Sequence, residues 1–263
     1  MYAFEYVNPT SAAAATAAAK GDARFLAGGQ SLVQALKLRI SQTGALVDLN
    51  GVAELTGISS VAGSIVIGAM TRHSEVARAA VVMKAIPALA DLASGIGDQM
   101  VRNQGTLGGS IANADPAACY PAALLALGAT IRTPQRTLGA DKFFTGLFET
   151  ALVPGELITA VEFPVPDKAA YVKFKQPASR FALIGVFVAR FGSTVRVAVT
   201  GAKSSVFRAT AIETALTQSF TAAAAAAVKL SPEGMNGYMH GSAEYRAAMI
   251  SVMAGRAVAK ALG

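Results

Sequence analysis

The chain has 263 residues, of which 53% are hydrophobic and 15% charged, so it holds enough apolar material for a folded core and is not a disordered chain. Mean hydropathy is +0.45, yet glycine, serine or proline interrupts the charge-free stretches, and none supplies the roughly 20 apolar residues of a membrane-spanning helix. The net charge of +7 includes no basic run, which disfavours nucleic-acid binding and leaves a solvated surface, an anionic ligand or an acidic partner.

Residue types that carry hydrolytic or metal chemistry are scarce. Cys119 is the single cysteine, which excludes an internal disulfide and any iron–sulfur site within the chain, and we expect it to be an inert small residue. His73 and His240 are too far apart to suggest a metal site, so we expect structural or surface roles for both. No signal peptide is visible, which predicts a reducing, cytoplasmic location.

The first 52 residues predict short helices alternating with short strands. An alanine-rich helix spans 11–20, and buried strands follow at 23–27 and 45–49. A glycine turn at 28–31 leads into a helix that continues to about Ile40. The pattern predicts a small lobe that ends near residue 52.

Residues 53–168 predict a second lobe that begins with a β-hairpin between 55 and 69. Thr71 is the expected N-cap of a helix, and Pro87 is expected to start or kink a second one. A glycine-dense region covers 95–109. A helix at 121–127 and a strand at 161–163 complete the lobe.

Residues 169–263 predict an antiparallel sheet with helices. Strand patterns lie around 172–174 and at 184–191 and 195–200, and helices are predicted at 212–216 and 222–227. The tail from 242 to 262 predicts an amphipathic helix. Its expected apolar face is Tyr245, Met249, Val252, Met253 and Val258.

Two glycine pairs are the clearest motifs. They lie within the segments Ala27–Leu32 and Gly105–Ile111, each between an extended apolar stretch and a possible helix start or tight turn. Glycine lets a ligand approach the backbone, and free N–H groups in such a turn attract phosphate. Ser31, Thr106 and Ser110 add hydroxyl groups. Two such turns suit the two phosphates of a dinucleotide, although each is also compatible with an ordinary turn.

Other nucleotide-binding motifs are missing. Gly95-Ile96-Gly97 begins a GxGxxG pattern, but Met100 stands where its last glycine belongs, and no Walker A sequence occurs. A Rossmann or P-loop cradle is therefore not supported. The scarcity of acid–base residues favours a protein whose bound cofactor performs the chemistry.

Longer stretches resemble one family. FLAGGQSLVQALKLR, IGAMTRHSEVA, IGDQMVRNQGTLGGSIANADPAACYPAALLALGA, FFTGLFETALVPGELITAVEFP and HGSAEYR together resemble the FAD-binding medium subunit of molybdenum hydroxylases, which include aerobic carbon monoxide dehydrogenase and xanthine dehydrogenase. The resemblance implies an α+β fold: a two-lobed FAD-binding domain of the vanillyl-alcohol oxidase (PCMH) type, followed by a C-terminal antiparallel sheet with helices. The implied lobes are 1–52, 53–168 and 169–263.

The resemblance also implies a set of FAD-binding residues. Two pyrophosphate loops are expected, with polar contacts to the ribityl or diphosphate region and apolar contacts to flavin or adenine. A lysine is expected beside the flavin ring, and an aromatic side chain facing it. These residues are Ala27, Gly28, Gly29, Gln30, Ser31, Leu32, Thr106, Leu107, Gly108, Gly109 and Ser110 for the loops, then Asn113, Asp115, Ile96, Ile158, Lys175 and Phe181.

The function implied by the resemblance is electron transfer. A partner subunit would hold the molybdenum cofactor, and a small one 2Fe-2S clusters, in a dimer of heterotrimers. Electrons would pass through non-covalent FAD on this chain to NAD, a quinone or oxygen. Cys119 departs from the family because an aspartate is common there. Two alternatives stay open: a self-sufficient flavin oxidase or dehydrogenase of the same fold, and a basic module that binds nucleic acid or an acidic protein.

Overall fold

The computed structural model describes the whole chain, residues 1–263. Its first 51 residues form a small parallel sheet with two helices. The elements of this N-terminal lobe are β1 (Glu5–Val7), α1 (Ala12–Ala18), β2 (Arg24–Leu26), α2 (Leu32–Lys37) and β3 (Ala45–Asp48). The strand order is β1-β3-β2, with β3 parallel to both neighbours. Ser11 caps α1 by accepting a hydrogen bond from the Ala14 amide.

A five-stranded antiparallel sheet and six helices form the central lobe. Its elements are β4 (Ile58–Val61), β5 (Ser64–Gly68), α3 (His73–Arg78), α4 (Ala80–Ala85), α5 (Pro87–Ser94), α6 (Gln99–Gln104), α7 (Leu107–Asn113), α8 (Tyr120–Leu127), β6 (Thr130–Arg132), β7 (Thr137–Gly139), β8 (Phe144–Gly146), β9 (Glu149–Thr150) and β10 (Ala160–Pro164). The strand order is β4-β5-β10-β6-β7, and β8 and β9 form a separate hairpin. Every residue of α8 is buried, so this helix forms the centre of the lobe.

The start of α3 differs from the prediction. Arg72, not Thr71, is the N-cap, and its amide donates to the Glu75 carboxylate at 2.8 Å. The buried Thr71 hydroxyl instead bonds the amide and the carbonyl of Gly57, at 3.0 and 3.1 Å. The prediction was wrong because this partner lies 14 residues away in the chain. Pro87 starts α5, which was one of the two expected outcomes.

The C-terminal lobe is the expected antiparallel sheet with helices. Its elements are β11 (Lys168–Lys175), β12 (Ala182–Phe191), β13 (Thr194–Thr200), β14 (Phe207–Arg208), α9 (Thr210–Gln218), α10 (Ala222–Ala227) and α11 (Ala243–Leu262). The strands follow the order β11-β12-β13-β14. None of the helices, including the 20-residue α11, combines the length and apolarity needed to cross a bilayer.

The buried face of α11 is only partly the predicted one. Met253 and Val258 are buried, but Tyr245 and Val252 are 41% and 39% exposed. Arg246 is fully buried, and its Nη1 donates to the Leu183 and Gly201 carbonyls, each at 2.8 Å. The prediction failed because six of the ten buried residues of this helix are alanine, serine or glycine, which give little hydrophobic signal.

The segment after α7 joins the central lobe to the C-terminal sheet. The Thr200 hydroxyl lies 2.6 Å from the Pro116 carbonyl and 2.7 Å from the Ala118 carbonyl. The Gly201 amide donates to Pro116 at 2.7 Å, and Arg196 Nε donates to the Leu125 carbonyl at 2.9 Å. These bonds fix the segment that carries Asp115 and Cys119 against the last lobe.

Candidate functional site

The two glycine loops, residues 27–32 and 105–110, meet between the first two lobes. A Cβ placed on Gly28 would overlap the Gln104 carbonyl oxygen and lie 2.7 Å from the Gly105 Cα. A Cβ on Gly109 would lie 3.3 Å from the Ala27 Cβ. Because no side chain at position 28 fits against the backbone of Gln104 and Gly105, Gly28 allows the two loops to pack directly together.

The first loop presents unpaired backbone donors. The N–H groups of Gly28, Gly29, Gln30 and Ser31 have no hydrogen-bond acceptor within the chain. Gly29 has a φ of +69°, a left-handed conformation that glycine adopts without strain. The Gln30 amide group donates back to the Gly28 carbonyl at 3.2 Å, which stabilises the turn. Four consecutive free N–H groups form a donor surface of the kind that binds anions.

The second loop uses most of its backbone donors inside the protein. The Leu107 amide donates to the Thr71 carbonyl at 3.1 Å, and the Gly108 amide donates to the Ala69 carbonyl at 2.7 Å. The Thr106 hydroxyl oxygen accepts from the Gly109 amide at 3.1 Å, so Thr106 caps α7. The Ser110 hydroxyl has no partner within the chain and is partly exposed. This loop therefore offers a fixed backbone and one free hydroxyl.

His73 supports the second loop from behind. Its amide donates to the Gly105 carbonyl at 2.9 Å, and a Cβ on Gly105 would lie 2.6 Å from its Nε2. Burial, with a smaller effect of the nearby Arg102 charge, lowers the pKa of His73 to about 4. The ring is therefore neutral at pH 7, and the predicted structural role of His73 is confirmed. His240 is exposed, as expected for a surface residue.

Asn113 and Asp115 lie at the end of α7, on the chain that leads to the C-terminal lobe. Ala114 between them adopts a left-handed φ of +47° and ends the helix. The Asp115 carboxylate accepts from the Ala117 amide at 2.8 Å, while partial burial raises the pKa of Asp115. Ile96 is partly buried, whereas Ile158 is 5% exposed and packs in the central core.

Lys175 and Phe181 lie at the two ends of the turn that joins β11 to β12. Both are exposed, Phe181 by 47%, and the Gln176 amide donates to the Phe181 carbonyl at 2.9 Å. Arg180 Nη1 donates to the Gly97 carbonyl at 3.3 Å, which places the turn beside the loop that carries Ile96. The structure therefore brings these three predicted residues to one junction.

Lys173 contacts the same junction and was not among the residues predicted from the sequence. Its Nζ lies 2.7 Å from the Gly95 carbonyl, 2.9 Å from the Arg180 carbonyl and 3.5 Å from the Cys119 sulfur. Strand alternation would place Lys173 and Lys175 on one face, but the register with β12 shifts at Phe174 and Lys175. No local signal in the sequence marks that shift.

Comparison with known proteins identifies the family. A family model described as the FAD binding domain in molybdopterin dehydrogenase matches residues 2–166. The chain belongs to this family. It is 35% identical over 276 residues to the carbon monoxide dehydrogenase medium chain of Hydrogenophaga pseudoflava, which covers 97% of this chain and 96% of that one.

Two further relatives span nearly the whole chain. The alpha subunit of the 6-hydroxypseudooxynicotine dehydrogenase complex of Paenarthrobacter nicotinovorans is 35% identical over 258 residues, or 92% of this chain and 87% of that protein. A structure of Hydrogenophaga pseudoflava carbon monoxide dehydrogenase that lacks the Mo-pyranopterin moiety matches with a TM-score of 0.87 and 33% identity, over 99% of this chain and 98% of that one. The α+β fold and the identification as an FAD-binding subunit of molybdenum hydroxylase complexes are thereby confirmed.

The first loop fits the cofactor that this family binds. FAD contains a diphosphate, and the four unpaired N–H groups at 28–31 supply donors for its oxygens. The free hydroxyls of Ser31 and Ser110 lie on the same two loops. Neither loop contains a titratable side chain, so this surface is equipped for binding and not for acid–base chemistry.

Proposed function

We propose that the chain holds FAD non-covalently with its diphosphate on the donor surface of residues 28–31. The observation that carries this proposal is the run of four backbone N–H groups without acceptors, next to the fixed second loop. The second loop contributes Ser110 and shape, and Thr106 maintains that shape by capping α7. The remaining contacts proposed from the loops are Ala27, Leu32, Leu107, Gly108 and Gly109.

The isoalloxazine end is proposed to lie where the central and C-terminal lobes meet. Ile96, Lys175 and Phe181 come together there, and Asn113 and Asp115 lie on the segment that leads from the second loop to the same junction. Ile158 would contribute through its small exposed part. A cation such as Lys175 stabilises negative charge on the pyrimidine end of a bound flavin. In this proposal, residues 1–52 and 53–168 form the FAD-binding domain, and residues 169–263 form the lobe that contacts the isoalloxazine ring.

The proposed role is that of an electron-transfer subunit. FAD supplies two-electron chemistry, so this chain would accept electrons from 2Fe-2S clusters of a small partner and deliver them to NAD, a quinone or oxygen. The substrate would react at a molybdenum cofactor on a large partner, in a cytoplasmic dimer of heterotrimers. The relatives' names, which are those of subunits and medium chains, and the absence of titratable side chains in both loops support this role.

The proposal is tested by expressing the chain with its neighbouring subunits and purifying the complex. We expect about one FAD per chain, released by denaturation without a covalent link, and bleaching of the flavin when the substrate of the complex is added. The matched measurement uses the chain expressed alone. Substrate turnover by the isolated chain would instead support a self-sufficient flavin enzyme, and a complex without extractable FAD would contradict both.

A further inference from the structure

The turn formed by residues 176–181 has few bonds to the rest of the molecule. Within the turn, the Arg180 amide donates to the Gln176 carbonyl at 2.9 Å, and the Phe181 amide donates to the Ser179 hydroxyl at 3.3 Å. Its outward bonds include a long one, from Arg180 Nη1 to Gly97 at 3.3 Å. Most of its residues are exposed, so apolar packing does not fix its position.

Lys173 makes the shortest connection between this turn and the central lobe. Its ammonium donates to the Arg180 carbonyl at 2.9 Å and to the Gly95 carbonyl at 2.7 Å, and thus bridges the turn and the end of α5. The neighbouring Cys119 thiol, at 3.5 Å, supplies no carboxylate that would compete for the ammonium. Charge-assisted hydrogen bonds of this kind are stronger than neutral ones.

The backbone at the bridged carbonyl is strained. Arg180 has a φ of +61°, which is uncommon for a residue with a side chain and persists only where surrounding contacts hold it. Lys173 bonds the carbonyl of this same residue. Loss of that bond would let Arg180 relax and move the adjacent Phe181.

We propose that Lys173 is a positioning residue that holds the 176–181 turn, and with it Lys175 and Phe181, against the loop at 95–97. The inference rests on the proposed function, because only there do Lys175 and Phe181 count as flavin contacts. Lys173 does not itself touch the cofactor in this proposal. Through its bond to the Arg180 carbonyl, it sets the distance between the isoalloxazine ring and the C-terminal lobe.

Limited trypsin digestion of the full chain tests the bridge without requiring any flavin. Mass spectrometry follows cleavage after Lys175 and after Arg180 in wild type, Lys173→Met and the control Lys168→Met. The control changes an exposed lysine of the same strand. We expect cleavage about tenfold faster in Lys173→Met, which corresponds to one net hydrogen bond. The control is expected to match wild type. Equal rates in all three chains would overturn the proposal.

Fluorescence of the bound flavin provides a second measurement, which would not change if Lys173 only stabilised the fold. In the purified complex, we expect Lys173→Met to keep its FAD within about twofold, since both glycine loops are intact. The bound flavin should fluoresce more strongly and be more accessible to iodide, because Phe181 is displaced, while Lys168→Met behaves as wild type. Unchanged fluorescence and quenching in Lys173→Met would contradict the positioning role.

Two outcomes separate this inference from the proposed function. A wild-type complex without FAD sinks the proposed function, whereas the digestion still decides whether Lys173 holds the turn. A wild-type complex with FAD and an indistinguishable Lys173→Met variant sinks the inference alone. Should Lys173→Met fail to fold, Lys173→Gln retains a neutral donor. Intermediate cleavage in that variant supports the bridge, and cleavage at the wild-type rate overturns it.

Discussion

The two glycine loops have similar sequences but opposite hydrogen-bonding states. In the first loop, the amides from Gly28 to Ser31 lack acceptors, whereas in the second the amides from Leu107 to Gly109 are bonded to Ala69, Thr71 and Thr106. The same Gly-Gly pair therefore serves as a donor surface in one place and as a close-packed support in the other. Ligand affinity is expected to depend on the first loop, and stability on the second.

Replacing Gly28 with valine is expected to give the largest effect because it separates the two loops. The new Cβ would overlap backbone atoms of Gln104 and Gly105, which cannot move aside as a flexible side chain can. We expect the free energy of unfolding to fall by about 3 kcal/mol and FAD to be lost from the purified complex. Denaturant unfolding and extractable flavin measure the two effects.

The matched control for that variant is Gly139→Val. Gly139 ends β7, is exposed, and would place its Cβ at least 4 Å from any other atom. Its free energy of unfolding should stay within about 0.5 kcal/mol of wild type, with full FAD content. A Gly28→Val protein that retained its flavin would show that the two loops need not touch in order to bind it.

A second prediction concerns acid and the support of the second loop. The pKa of His73, about 4 in the folded protein, lies below its ordinary value of 6.5, so the native state binds fewer protons than the unfolded one. The stability contribution is complete above pH 6.5 and is lost as pH falls through 4. We expect about 2 to 3 kcal/mol of pH-dependent loss across this interval.

His73→Asn isolates that contribution, since carboxylates titrate equally in both proteins. The difference in free energy of unfolding between wild type and variant should shrink as pH falls from 6.5 to 4, measured by urea denaturation at fixed salt. A difference that stays constant with pH would mean that burial does not lower the pKa of His73 in the folded protein.

The sequence predicted where the two loops lie but not how they differ. Both Gly-Gly motifs and the helix after each follow from local signals. The acceptors that bind the second loop belong to Ala69 and Thr71, more than 30 residues earlier in the chain, and no local pattern connects them. The spacing of the glycines left open whether the loops bind a nucleotide or are ordinary turns. The resemblance to a known family favoured nucleotide binding.

Other errors have the same origin in long-range contacts. Thr71 is of a residue type that often caps helices, yet its hydroxyl is bonded to Gly57. Arg246 is charged, yet it is buried because its guanidinium donates to two distant carbonyls. Lys173 was missed because the fold alone brings the Gly95 carbonyl and the Cys119 sulfur to its ammonium. The longer helices and strands followed from periodicity, whereas short elements such as β1 and α6 were not predicted. The side chains of Thr71, Arg246 and Lys173 depended on partners that only the fold brings together.

The smallest expected effects distinguish two hydroxyl groups of the second loop. Thr106→Val keeps the side-chain shape but removes the cap on the Gly109 amide, so the free energy of unfolding should fall by about 1 kcal/mol. Ser110→Ala removes a hydroxyl that has no partner in the chain, so stability should be unchanged while the dissociation constant of FAD rises by about threefold to tenfold. Thermal unfolding of the apo chain and flavin titration distinguish the two variants. If Thr106→Val weakened FAD binding without lowering stability, the second loop would be a donor surface like the first, and the contrast between the loops would be wrong.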